Sequence, residues 1–219
     1  MSKMKNTRKY YFSVEGETED WYLEWLQKII NSEPSARFKV SLDSKIEKNP
    51  LKRAKSIPIT QKTEITHFFD CESNDAVHTK QFIATLNLLK DTSKLGKQIK
   101  YNLGYSNFTF ELWMVLHKID FNTILTHRRQ YLKPINKAFG ENSSELDQYK
   151  QKVNFRRVLS KISLVEVRAA IARSKGIMQR NKENGFTMNE YKGYQYYMSN
   201  PCLSVWESIE KILKDCDLL

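Results

Sequence analysis

Three carboxylates, standing just past the ends of two strand-like runs, are the residues in this chain best placed to do chemistry. Glu15 follows the β-like run Lys9 to Val14 and precedes an amphipathic helical pattern that begins near Trp21. Asp70 and Glu72 follow a second apolar run, Ile65-Thr66-His67-Phe68-Phe69. Open α/β sheets gather ligands and catalytic groups at the C-terminal ends of their strands, so acids at two such ends suggest a divalent-cation site. Mg²⁺ and Mn²⁺ prefer carboxylate and water oxygens, and Mg²⁺ usually takes only one or two protein carboxylates beside substrate phosphates. Glu15, Asp70 and Glu72 therefore suffice as candidate ligands. On a continuing strand Asp70 and Glu72 would point to one face and converge on one ion; a turn at Cys71 would weaken that inference.

The neighbouring acids have a second explanation. Carboxylates in the first turn of a helix are favoured by its dipole, which accounts first for Glu17 and Asp20 and leaves Glu19 open between capping and chemistry. Glu15 lies before the helix, next to Gly16, whose backbone freedom suits a tight strand-to-helix turn. Capping explains Glu15 less well.

The elements that must position these acids alternate. A strand (Tyr10 to Val14), a helix (about Thr18 to Asn31) and a strand (Phe38 to Leu42) form a βαβ-like unit, with Trp21, Tyr22, Trp25, Leu26, Ile29 and Ile30 as the apolar stripe. A short helix is expected near Leu51 to Ser56, a strand at Ile65 to Phe69, a helix from Asp75 to Lys90 capped by Asp75 or Asn74, and a strand from Ile99 to Tyr105. Such alternation predicts an α/β fold with a mostly parallel sheet covered by helices on both faces and joined by right-handed crossovers. Phe108 to Lys118 reads as a strongly apolar helix. After Asp120 only helical patterns stand out, clearest near Asn154 to Lys175 and Leu203 to Leu213. The expected division is an α/β core over residues 1–119 and a mainly helical region over 120–219, packed on that core.

Composition sets outer limits. The chain has 219 residues, enough to bury a real core, and 36 basic against 25 acidic residues give a formal net charge of +11. That balance favours a polyanionic partner and salt-sensitive binding, although general lysine richness is the alternative. The three cysteines, Cys71, Cys202 and Cys216, show no zinc spacing and fit free thiols in a reducing cytosol. A soluble, cytoplasmic protein is expected, with no signal peptide and no run of apolar residues long enough to span a membrane. There is no glycine-rich phosphate loop, so ATP hydrolysis by this chain is not expected.

Candidate nucleic-acid contacts are more scattered. Lys161, Arg168 and Lys175 are spaced by seven, which would place them on nearly one helical face, as a phosphate-tracking stripe or simply a solvated one. Gly176 to Ser199 reads as a loop-rich insertion in which Tyr191, Tyr194, Tyr196 and Tyr197 alternate with bases; the tyrosines could stack on single strands or cover the core. Ser106 and Asn107 lie between a strand and a helix, where N-capping is the first explanation and phosphate contact the second. His117 follows Glu111 by six residues, about 120° from alignment on a helix. The two are not expected to share an ion, and His117 is expected to be structural or to support the ligands from behind, with acid–base work the alternative.

Four segments taken together resemble one family. They are Val14-Glu15-Gly16-Glu17-Thr18-Glu19, Phe69-Asp70-Cys71-Glu72, the string Ser106-Asn107 with Glu111-Leu112-Trp113 and His117, and Ser199-Asn200-Pro201-Cys202-Leu203-Ser204-Val205. In that order and spacing, over most of the chain, they resemble the RloB-like family, which also includes AbiLii-like phage abortive-infection proteins. The resemblance implies a fold similar to Toprim, the metal-binding domain of topoisomerases, primases and OLD-type nucleases, and a setting in bacterial anti-phage or restriction-linked loci beside a companion ATPase. Glu15 would match the Toprim glutamate that ligates metal or acts as acid or base, while Asp70 and Glu72 would match its Asp-x-Asp pair, with glutamate at the second place. Glu19 and Glu111 match further acidic positions of the family motifs and could hold a second ion. The expectation is an Mg²⁺- or Mn²⁺-dependent nuclease acting on DNA or RNA. The alternative is a non-catalytic nucleic-acid-binding or regulatory partner of the ATPase, and nucleotidyl transfer would use the same ligands.

Overall fold

The computed structural model describes residues 5–59 and 61–219. The elements run β1 (Thr7–Val14), α1 (Glu17–Ser32), β2 (Lys39–Asp43), α2 (Pro50–Ser56), β3 (Thr63–Cys71), α3 (Ala76–Asp91), β4 (Ile99–Asn107) and α4 (Glu111–Leu116). Then come α5 (Leu132–Phe139), α6 (Leu146–Tyr149), α7 (Lys152–Leu159), α8 (Leu164–Glu183), the strands β5 (Met188–Tyr191), β6 (Tyr194–Tyr197) and β7 (Cys202–Leu203), and α9 (Val205–Asp215). The main sheet has the order β2-β1-β3-β4-β7; its first four strands are parallel and β7 is antiparallel to β4.

Side-chain alternation along the strands feeds two apolar layers. Phe12, Val14 and Phe68 face a core built with Tyr22, Leu26 and Ile30 of α1, Leu112 to Leu116 of α4, and residues of α5, α7, α8 and α9. On α1 those three recur at the spacing that puts successive turns on one face. On the other side Ile65, Phe69, Tyr101 and Tyr105 pack with Ala54 of α2 and with Phe82, Leu86 and Leu89 of α3. A central parallel strand buried on both faces is mostly apolar, and β3 places Ile65, Phe68 and Phe69 there while His67 is buried with its Nδ1 against the Ser13 hydroxyl.

Local signals set several helix starts. The Asn49 side chain and Pro50 begin α2, the Asp75 side chain caps α3, and Ser163 with Glu166 forms a capping box on α8. Three expectations are corrected. The apolar helix expected over Phe108–Lys118 is only Glu111–Leu116, and the pattern from Asn154 to Lys175 is two helices broken between Leu159 and Leu164. The region after Asp120 is not free of strands: Gly176 to Glu183 continues α8, the tyrosine-rich stretch is the hairpin β5–β6, and β7 joins the main sheet. The hairpin tyrosines turn to the core. Tyr191 bonds Asn87, Tyr194 bonds the carbonyl of Tyr101, and Tyr196 and Tyr197 are buried. All three cysteines are buried free thiols.

Candidate carboxylate centre

Glu15 and Gly16 make the whole connection between β1 and α1. Oε2 of Glu15 accepts the backbone N–H of Asp70 at 3.3 Å, so the end of β1 is tied to the end of β3. Gly16 has an extended backbone, with φ at −142°, and needs no special conformation. What it supplies is room: a Cβ there would lie 3.0 Å from Oε2 of Glu19. Glu19 is 5% exposed and accepts a 2.8 Å hydrogen bond from the hydroxyl of Thr18. Glu111, the first residue of α4, is wholly buried and accepts from the hydroxyl of Thr109. Asp70 is the penultimate residue of β3, and its register partner on β4 is Ser106, so their side chains share a face.

Electrostatics show how close these acids are. Burial, then the charges of Glu19 and Glu72, push the Glu15 carboxyl up to about 7 against the pull of the Asp70 N–H and Lys48. Burial raises Glu19, and Glu111 adds to it. Asp70 is raised well above the ordinary range by burial and then by Glu19, Glu15 and Glu111. Among the described residues Lys150 is the cation in ion-pair contact with the group, its Nζ 3.3 Å from Oε1 of Glu111. Burial works against the charge of Lys150, but Glu111, Asp70 and Glu19 outweigh it and raise its pKa. Like charges at this density, without bulk water, are relieved by taking up a proton or by a counter-ion.

The other sequence candidates fall elsewhere. The strand ends at Cys71, so Glu72 does not continue the line of Asp70; it is exposed, 3.0 Å from Arg128 and 3.7 Å from His78. Ser106 and Asn107 are the last residues of β4 and cap no helix; α4 begins after Phe110 with no side-chain cap. Asn107 pairs in register with Cys71, on the opposite face from Asp70, and bonds the carbonyl of Met198. His117 is buried between the carbonyl of Trp113 and the hydroxyl of Tyr22, and burial holds it down to about 4. It touches none of the acids by hydrogen bond.

The expected basic stripe does not form, because Lys161 precedes α8 instead of lying on it. Lys161 bonds Glu141, Arg168 bonds the carbonyl of Leu218, and Lys175 bonds Glu210. Two clefts of about 830 and 460 Å³ open between the N-terminal halves of the strands and α9, away from the acids. Several of their charged groups are already paired, as in Arg8–Asp215 and Lys211–Glu64, and volume alone does not make them the reactive site.

Do these residues fit a divalent ion? Among the described residues no three His, Cys, Asp or Glu side chains stand together as a ready cage. The donors are nevertheless all oxygens, and Mg²⁺ needs few protein carboxylates. Oγ of Ser106 is buried with no hydrogen-bond partner, and Oε1 of Glu111 meets the Lys150 ammonium at 3.3 Å without a hydrogen bond; buried oxygens normally have one. The set fits a hard cation that completes its shell with water or phosphate.

Lys150 and Tyr149 escaped the sequence reading. Both come from the corner of α6 and α7, and the Tyr149 hydroxyl is buried without a partner, raised by burial and by Glu111 and Glu19. Neither has a local signal, since only the chain's path through α5 and α6 brings them back to the strand ends. Thr18, within the Glu-Gly-x-Thr-Glu turn, did stand in a quoted motif, and its task is to hold Glu19.

The family model described as RloB-like protein matches residues 10–212. No curated protein and no solved structure matches the chain. With nearly the full length matched, strand ends and C-terminal helices included, the chain belongs to the RloB-like family.

Proposed function

We propose that this protein is a divalent-metal-dependent nuclease component of bacterial phage defence, cleaving DNA or RNA phosphodiesters through a Toprim-like carboxylate site. The observation that supports it is the meeting of Glu15, Glu19, Asp70 and Glu111 at the C-terminal ends of β1 and β3, with Lys150 as their cation. Glu15 and Asp70 would hold Mg²⁺ or Mn²⁺, with Glu19 and Glu111 behind them. A bound ion supplies positive charge to the scissile phosphate and activates water.

The chain's own groups do the rest. Glu15, pushed up to about 7, can hold or release a proton near neutral pH, the condition for acid–base work. The Asp70 N–H fixes its Oε2. Thr18 and Thr109 orient Glu19 and Glu111, so neither carboxylate has to be ordered when substrate arrives. Lys150 supplies positive charge next to Glu111 and would share it with an incoming phosphate. The family resemblance supports the phage-defence setting and the companion ATPase.

The test is cleavage of labelled single- and double-stranded DNA and of total tRNA, with Mg²⁺, Mn²⁺ or EDTA. Wild type is expected to cut only with the cation, and Glu15→Gln/Asp70→Asn to lose about 100-fold or more. The lack of a ready cage favours one other reading, a nucleic-acid-binding or regulatory partner of the ATPase. No cutting, alone or with that ATPase and ATP, would select it.

A further inference from the structure

We infer that Lys48, Arg128 and Lys152 form a phosphate grip around the carboxylate centre, holding a nucleic-acid strand on three sides of the acids. The inference rests on the nuclease reading for its orientation, but the grip is a binding property with its own test. The three cations come from three separate segments. The loop after β2 runs along the end of β1: Val14 bridges Ile46, its N–H bonds the carbonyl of Lys45 at 3.0 Å, and its carbonyl accepts the N–H of Glu47 at 3.0 Å. That path sets Lys48 beside Glu15. Across the site Arg128 opens the helical turn Arg128–Tyr131 and reaches Glu72, just past β3, at 3.0 Å. On the third side Lys152 begins α7, two residues after Lys150, with its ammonium 5.5 Å from the ring centre of Trp21 on the helix that bears Glu19.

Position, more than freedom from pairing, separates this ring from the rest of a generally basic surface, where Lys28, Lys90 and Lys182 are also exposed and, among the described residues, without an ion pair. Lys161, Arg168 and Lys175 are committed to Glu141, the Leu218 carbonyl and Glu210. Lys48 and Lys152 are exposed and, among the described residues, have no ion-pair partner, and Arg128 is half exposed despite its pair with Glu72. A recessed acidic centre repels a polyanion unless cations at its rim hold the flanking phosphates, and such contacts release counter-ions that the salt dependence counts.

The experiment measures binding in the Glu15→Gln/Asp70→Asn protein in EDTA, so that cleavage does not interfere. Fluorescein-labelled single-stranded DNA, single-stranded RNA and a DNA duplex are titrated over a salt series by anisotropy. Adding Lys48→Glu/Arg128→Glu/Lys152→Glu should weaken binding by about 100-fold and lower the salt slope by about 2 on a single strand. The control Lys28→Glu/Lys90→Glu/Lys182→Glu changes net charge equally on other surfaces and should cost about threefold or less. Equal losses in both proteins, no loss in the first, or no binding by the parent would each overturn the grip. The milder Lys48→Met/Arg128→Met/Lys152→Met, checked by thermal melting, separates lost contacts from misfolding and should still lower the slope. An intact grip in a protein that never cuts would overturn the nuclease reading and leave the grip standing.

Discussion

Asp70, Glu15 and Glu19 work against the stability of the fold that assembles them, because each is held where its charge is least welcome. Replacing Asp70 by Asn should therefore stabilise the cation-free protein by roughly 1–3 kcal/mol, a thermal shift of a few degrees, while reducing the stabilisation that Mg²⁺ gives wild type. Melting curves with and without the ion check both halves. The pH dependence has a definite sign. Glu15 has a folded pKa of about 7 against an ordinary 4.5, so the unfolded chain releases that proton first. Its contribution falls as pH rises from about 4.5 to 7 and is flat above. Urea midpoints of wild type and Glu15→Gln should diverge across that window, with the mutant gaining toward pH 7 and above. Glu15 and Asp70 were legible from residue type and position after a strand, whereas Glu19 and Glu111 stood out only through the family resemblance. Their partner Lys150 was not legible, since a lysine in a lysine-rich chain has no local mark.

The elements next to the site show what short-range rules can and cannot say. The β1–α1 turn was readable because a glycine between acids and a helical stripe is a strong local pattern, but its reason lies in three dimensions: Gly16 makes space for the Glu19 carboxylate. Gly16→Ala should cost little in folding stability, since its φ of −142° suits alanine, yet should weaken cation binding and cleavage by about tenfold or more. Calorimetric Mg²⁺ titration and melting would separate the two effects. The capping box on α8 predicts the reverse profile: Ser163→Ala should lose about 1 kcal/mol of stability and leave cleavage unchanged. β7, two residues long, has no periodicity to detect and forms only because β4 offers it an edge.

Across the whole molecule, one apolar cluster joins Tyr22 and Leu26 of the N-terminal half to Trp113, Phe155, Ile171 and Leu213. With β7 also closing the main sheet, the two halves should unfold together. Tryptophan fluorescence and far-ultraviolet circular dichroism should give coincident urea transitions, and separated midpoints would show two units. The net charge of +11 told only of a polyanionic partner. Where the charge is free to act depends on which lysines and arginines the fold has already paired, and the seven-residue spacing that chose Lys161, Arg168 and Lys175 holds no record of those pairings.

The alternation of apolar runs determined the parallel strands, α1 and α3, because strand and helix periods are local properties that burial of one or both faces imposes on the chain. The acids at the strand ends followed from that pattern. Tertiary structure alone decided that Lys150 joins them, that Glu72 leaves the strand line to pair with Arg128, and that His117 bonds Tyr22. Those outcomes depend on where distant segments cross in space, and side-chain spacing along the chain holds no record of that crossing.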